Sequence, residues 1–305
     1  MRLVFMGSGA FGLPTARALA AEHEIALVVS QPDRTAGRGR HLRPTPISEW
    51  ALEGDLQLER PPDVNVPEIR DRIRALRPDA LVVIAFGQKL GPELLDGLQA
   101  FNLHASLLPA YRGAAPINRA MMDALERTGV SVISLAERMD AGLVFARSEL
   151  AIEPTETAGE LHDRLAELGP AAVLGVLQQL ADGELEGETQ DEQQVSQARK
   201  LSRKEATVHF DQAAVRIRAW VHGLTPWPGC DIQYDGTRLR LLRVSAVDGD
   251  EPAPPGTIHP DGTIACSEGA LQLIEVQPAG KKPMSFDAWL RGHPLSAGCR
   301  AEAIT

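Results

Sequence analysis

The feature that most constrains this chain is the alternation, through its first half, of short wholly apolar runs with helical patterns. Residues 3–6 form the first run, a glycine-rich turn at 7–12 follows, and a helix pattern occupies 14–21. Residues 25–29 are the next run. A helix is expected over 67–76, with Pro67 suited to its first turn and Pro78 ending it. Residues 81–85 are apolar at every position, as in a parallel strand covered on both faces. A short helix around Leu94 and Leu95 precedes strand candidates at 101–104 and 130–135. Strands and helices in strict alternation imply an α/β fold, a doubly wound and mostly parallel sheet with helices on both sides.

The pattern then changes twice. Leu161, Leu165, Leu168, Val173, Leu177 and Leu180 recur at helical spacing over residues 157–180, with Gly183 as a stop. Gly169-Pro170 should kink this helix or split it. Residues 182–192 carry six acids and no base, and Arg199, Lys200, Arg203 and Lys204 come next. With little apolar content, residues 188–204 read as a solvated linker. Beyond it, a helix candidate at 213–221 precedes short alternating runs at 232–234, 239–244, 257–258, 263–266 and 271–276. Asp235-Gly236, Asp248-Gly249 and Asp261-Gly262 punctuate them, which suggests a small β-barrel. The expected organisation is a first domain at 1–187, the linker at 188–204 and a smaller C-terminal β-barrel domain at 205–305.

Composition narrows the class. The 305 residues are 44% hydrophobic, enough for a sizeable core, yet no apolar run approaches the roughly 20 residues of a membrane helix. No membrane partner is therefore expected. The apolar stretch at residues 3–6 is too short for a secretory signal. Cys230, Cys266 and Cys299 are odd in number and lack metal-type spacing, so they read as free thiols in a reducing, cytoplasmic compartment. A net charge of −10 argues against a whole-surface nucleic-acid binder but leaves room for a local basic patch. Residues 34–48 contain no acid and hold Arg34, Arg38, Arg40, His41 and Arg43.

Two motifs carry chemical suggestions. Gly7-Ser8-Gly9-Ala10-Phe11-Gly12 fits a dinucleotide-binding turn, with Asp33 as the ribose acid, and fits equally a tight strand-to-helix turn that binds nothing. Asp33 lies beyond the second strand, after Pro32, so no nicotinamide cofactor is expected. The second motif is Asn102-Leu103-His104, at the end of an apolar strand. Alternate positions put both polar side chains on one face, at the carboxyl end where open α/β sheets bind ligands. Asp140 follows the next strand candidate and could reach His104. Acyl transfer to an amine needs a base for the amine proton, a donor for the oxyanion and a group to orient the base. Imidazole, amide and carboxylate meet those needs. On spacing alone, the reading of His104 as a satisfied strand-end residue and Asp140 as a turn residue stays open.

Asn102-Leu103-His104 with Ser106-Leu107-Leu108-Pro109 and Asp140 resembles the signature of the folate-dependent formyltransferases. Residues 31–40, Arg112-Gly113-Ala114-Ala115-Pro116-Ile117, Pro226-Trp227-Pro228-Gly229 and residues 277–284 are similar to the members acting on methionyl-tRNA, in the expected order along nearly the whole chain. The resemblance implies a Rossmann-like formyltransferase domain followed by a β-barrel. It implies formyl transfer from 10-formyltetrahydrofolate to the α-amine of methionyl-initiator-tRNA for translation initiation, by a monomer without metal or nicotinamide. It assigns catalysis to Asn102, His104 and Asp140. Folate contacts fall on Ala105, Ser106, Leu107 and Leu108, with Phe86, Gly87, Gln88 and Leu90. Contacts to tRNA fall on Arg34, Arg38, Arg40 and Arg43, and on Arg203, Lys204, Lys281 and Lys282. Arg199, Lys200, Arg238, Arg240 and Arg243 extend this second basic stripe. The chain departs from the family at Met139-Asp140-Ala141-Gly142, where Leu-Asp-Thr-Gly is usual, and at Ala110-Tyr111, where Arg-Trp is usual.

Overall fold

A computed structural model describes residues 1–36, 41–249, 253–296 and 298–304. They divide into two compact units. Met1–Gly113, Gly129–Leu150 and His162–Gln197 make the first, and Ala114–Thr128, Ala151–Leu161 and the chain from Ala198 onward make the second.

The first unit is organised by a seven-stranded sheet. In chain order its strands are β1 (Arg2–Gly7), β2 (Glu24–Val29), β3 (Leu58–Glu59), β4 (Ala80–Ile84), β5 (Ala100–His104), β6 (Arg127–Ser134) and β7 (Val144–Ala151). Their spatial order is β7-β6-β5-β4-β1-β2-β3. The pairs β1–β2, β2–β3, β1–β4 and β4–β5 are parallel, and β5–β6 is antiparallel. The expected doubly wound, mostly parallel sheet is therefore present. Leu3, Val4, Phe5 and Met6 are wholly buried, as are Leu81, Val82 and Ile84. Each such side chain stabilises the fold by about 1.5–3 kcal/mol relative to exposure. That fixes the sheet's centre and sends the polar strand ends outward. The chain runs from β1 to one side and then returns to β4 on the other. The resulting crevice lies at the carboxyl ends of β1 and β4, beside β5. Helix Gly169–Asp182 begins where Ala158–Ala166 has stopped, so Gly169-Pro170 splits the long helical pattern as expected.

The second unit carries an antiparallel sheet of six strands. These are β8 (Cys230–Tyr234), β9 (Thr237–Val247), β10 (Ile264–Ala265), β11 (Ala270–Pro278), β12 (Met284–Ser285) and β13 (Ala301–Ala303). The order β10-β11-β9-β8-β13 is nearly closed into a barrel. Thr257 bridges Arg300 beside β13, and Ile258 bridges Ile264 of β10. The β8–β9 hairpin turns at Asp235 and Gly236, both at positive φ (45° and 74°), the geometry that makes Asp-Gly such a strong hairpin signal. Tyr234 anchors the interior, edge-on to Phe286 and Trp289 at 5.3 and 5.6 Å between ring centroids.

Helix Ala214–Gly223 buries His222 in this unit, where its Nε2 accepts the Val244 N–H at 3.1 Å. Burial, with Arg243 and Arg218 nearby, pushes the imidazole down to about 4 from 6.5. The unfolded chain therefore binds the extra proton first. This contribution to stability is complete above pH 6.5 and is lost as pH falls towards 4, a decline on the order of 3 kcal/mol. Denaturant titrations across that window should show the loss, and His222→Gln should flatten it. A wild-type curve no steeper than the variant's would count against this account.

Candidate active site

β5 delivers Asn102 and His104 to its carboxyl end. Its inner positions, Phe101 and Leu103, are buried and lock the strand's rotation, so the alternate polar pair faces one way. His104 is itself buried, and its Nε2 lies 2.9 Å from the Tyr111 carbonyl oxygen. A carbonyl only accepts, so Nε2 carries a proton in this arrangement. The other ring nitrogen, Nδ1, faces Asp140 Oδ2 at 3.6 Å. A carboxylate also only accepts, so a doubly protonated ring suits both neighbours at once. Each ring nitrogen thus faces an acceptor. Among the described residues, no hydrogen bond engages the Asn102 side-chain amide, which remains available as a donor.

Asp140 is placed by its turn. It sits at φ +55°, a left-handed conformation that Asp tolerates better than most residues. Oδ2 accepts the Gly113 N–H at 2.9 Å. Gly142 follows because nothing larger fits: a Cβ there would lie 1.8 Å from the Ser134 carbonyl oxygen. The three groups singled out in the sequence therefore come from one strand end and the turn after its neighbouring strand.

The segments expected to contact folate are ordered by less conspicuous residues. Ser131, on β6 opposite His104, donates to the Ser106 carbonyl at 2.7 Å and accepts from the Leu108 N–H at 3.0 Å. Ser106 gives its own hydroxyl to the Ala110 carbonyl at 2.6 Å. Leu108 is buried against Ile133 and Val144. Phe86 and Leu90 are buried in the core of the first unit. Gln88 has both ends of its amide engaged, with the Val64 N–H and the Pro61 carbonyl. Gly87 takes φ +84° between them. Of these eight positions Gly87 is exposed, Gln88, Ala105 and Leu107 are half-buried, and Phe86, Leu90, Ser106 and Leu108 are buried and shape the two loops from beneath.

The structure corrects two expectations. Residues 188–197 are mostly exposed, as a solvated stretch would be, but they are fastened to the first unit instead of hanging free: Gln190 is buried, and Arg112 reaches both Gln190 and Glu192. The acids of this stretch serve in part as partners for arginines, Glu192 for the buried Arg112 and Glu188 for Arg147. In the second unit, Arg238 and Arg240 both pair with Asp231, at 2.6 and 2.9 Å, and Arg243 pairs with Glu160 at 2.6 Å. These three do not form the free basic stripe the sequence suggested. Arg243 holds the Glu160 carboxyl down to about 2. Arg203, Lys204, Lys281 and Lys282 are exposed. Arg34 and Arg43 are also exposed, directly opposite each other on a hairpin pairing Arg34–Ala36 with His41–Arg43. Arg38 and Arg40 lie outside the described residues.

The glycine-rich turn is closed on itself. Ser8 donates to the Phe86 carbonyl and accepts from the Gln31 N–H, tying together the ends of β1, β2 and β4. Asp33 pairs with Arg60 at 2.6 Å instead of standing free at a strand end. The residues of the dinucleotide alternative are thus committed to internal bonds.

Comparison with known proteins agrees with this geometry. Residues 1–177 match the formyl transferase family and residues 200–294 the formyl transferase C-terminal domain. The methionyl-tRNA formyltransferase of Methylococcus capsulatus is 40% identical over 302 residues, 97% of this chain and 98% of its own length. The chain belongs to the methionyl-tRNA formyltransferase family. Its fold is similar to that of the Clostridium thermocellum methionyl-tRNA formyltransferase, with a TM-score of 0.57 at 13% identity, over 90% of this chain and 99% of that one. It is also similar to HypX from Aquifex aeolicus in complex with tetrahydrofolic acid, with a TM-score of 0.63 at 16% identity, over 95% of this chain and 47% of that one. Family membership makes the chain a formyl-transferring enzyme. Among the described residues, no helix is long and apolar enough to cross a membrane.

Proposed function

We propose that this chain formylates the α-amine of methionyl-initiator-tRNA with 10-formyltetrahydrofolate, and that Asn102, His104 and Asp140 carry the reaction. The observation that carries the reading is the approach of Asp140 Oδ2 to His104 Nδ1 at a sheet's carboxyl end, with Asn102 on the same strand face. Formylfolate lies against the loops at 86–90 and 105–108. As the amine nitrogen attacks the formyl carbon, His104 carries a proton on Nδ1, towards Asp140. In this neutral tautomer Nε2 carries no proton and has released the Tyr111 carbonyl, so it takes the amine proton; the ring, then protonated on both nitrogens, has the Tyr111 carbonyl and Asp140 as its two acceptors. Asn102 donates to the oxyanion of the tetrahedral intermediate. Collapse breaks the bond from the formyl carbon to the folate nitrogen, and the proton passes from His104 to that leaving nitrogen. All three groups lie within the first unit, which supports action as a monomer. Three free cysteines, all buried, support a cytoplasmic setting.

Exposed arginines and lysines supply the phosphate contacts. Arg34 and Arg43 face each other across a hairpin, an arrangement that like charge makes unfavourable until an anion joins them. Arg203, Lys204, Lys281 and Lys282 of the second unit serve the same role. Purified protein with formyltetrahydrofolate should formylate charged initiator tRNA, and not a free amino sugar or water. Arg43→Glu should weaken tRNA binding and lower the slope of log K against log salt by about 1, leaving folate affinity unchanged. Equal turnover with an amino sugar would reject the acceptor assignment.

A further inference from the structure

Gln190 lies in the acid-rich stretch after helix Gly169–Asp182, where its exposed neighbours Asp191 and Glu192 face solvent, yet it is itself buried. Its Nε2 donates to the Asp140 carbonyl and to the Gly142 carbonyl, each at 2.8 Å. Its Oε1 accepts from Arg112 Nε at 2.9 Å and Nη2 at 2.8 Å. Every hydrogen-bonding position of the amide nitrogen, and both lone pairs of its oxygen, are therefore engaged. Arg112 is buried as well, and its Nη2 continues to Glu192 Oε1 at 3.0 Å. Glu192 in turn holds Arg138 at 2.9 Å, at the start of the turn that ends in Asp140.

The neighbours of Arg112 in sequence complete the connection. Tyr111 offers its carbonyl to His104, and Gly113 gives its N–H to Asp140 Oδ2. Three consecutive residues thus touch the imidazole, the Gln190 amide and the carboxylate. Asp140 is held at a positive φ and needs external bonds to keep its carboxylate aimed. Ser134 secures one side of the turn, through its bonds with Leu143. Gln190 secures the other.

We propose that Gln190, oriented by Arg112, is a positioning residue that aims Asp140 at His104. This rests on the reading of Asp140 as the partner of His104. Only an amide fits: it donates twice to carbonyls while accepting from a guanidinium. A carboxylate at 190 would keep Arg112 and lose both donors, so Gln190→Glu isolates the positioning function from the packing of Arg112.

The test is a mutant cycle on kcat for formyl transfer to charged initiator tRNA, with KM for formyltetrahydrofolate measured alongside. Gln190→Ala and Gln190→Glu should each lower kcat by roughly 10- to 100-fold and leave KM within about twofold, as expected for a misaimed catalytic partner. In an Asp140→Ala background the same substitutions should change kcat by less than about twofold, because the group they aim is gone. If Asp140→Ala itself keeps full kcat, the role given to Asp140 fails. If Asp140→Ala is slow while Gln190→Glu keeps full kcat, the positioning role alone fails. Losses that multiply in the double variant would make Gln190 a purely structural residue and overturn the inference.

Discussion

Replacing His104 with alanine should lower kcat by about 10²–10⁴-fold, the range over which a positioned general base accelerates proton transfer. Formylfolate affinity should change little, since the segments at 86–90 and 105–108 are held by Gln88 and Ser131, not by the imidazole. The loss should also be specific to the chemical step, so single-turnover formyl transfer will slow as much as steady-state turnover. The geometry makes this a demanding prediction. His104 is buried, with one nitrogen 2.9 Å from a carbonyl and the other 3.6 Å from a carboxylate. A residue present only to satisfy the strand end would have the same bonds. Its removal would then lower stability and leave kcat intact, and a folded alanine variant turning over at the wild-type rate would establish that outcome.

The parts of this architecture that were legible in the sequence are those fixed by local physics. Residues 3–6 and 81–85 read as buried strands, and all but Ala85, which is exposed just past the strand's end, are buried because both faces of the sheet are covered and every position must be apolar. The Asp235-Gly236 hairpin was legible because few other dipeptides take positive φ twice in succession. Asn102 and His104 could be placed on one face because strand periodicity leaves no alternative. What is not legible in the sequence depends on pairings between distant segments. Arg240 lies opposite Asp231 in the β8–β9 register, and Arg238 opposite Gln233. Until that register is known, both arginines look like free surface charge. Gln190 was hidden for a related reason. Its surroundings are acidic and polar, the composition of a solvated stretch, and only the approach of Arg112 and the Asp140 turn shows why one amide there is buried. Ser131 interrupts an otherwise apolar run in β6, a signal that could have marked it, though not its two partners.

Asn102→Ala should cost about 3–4 kcal/mol in the barrier, some 10²–10³-fold in kcat, the effect of removing one oxyanion donor. The substitution removes few apolar contacts, because Asn102 is only partly buried while Phe101 and Leu103 hold the strand, so stability should barely change. Asn102→Asp offers a sharper comparison. It preserves shape but replaces a donor with a group that only accepts, placing negative charge where the oxyanion forms. Its kcat should fall below that of the alanine variant at neutral pH, and acidification should recover part of the difference as the carboxyl gains a proton. A residue that merely positioned the strand or the folate would rank the two variants the other way, since aspartate is the closer mimic. The order of alanine and aspartate in kcat therefore decides whether the amide at 102 acts on developing charge or only on shape.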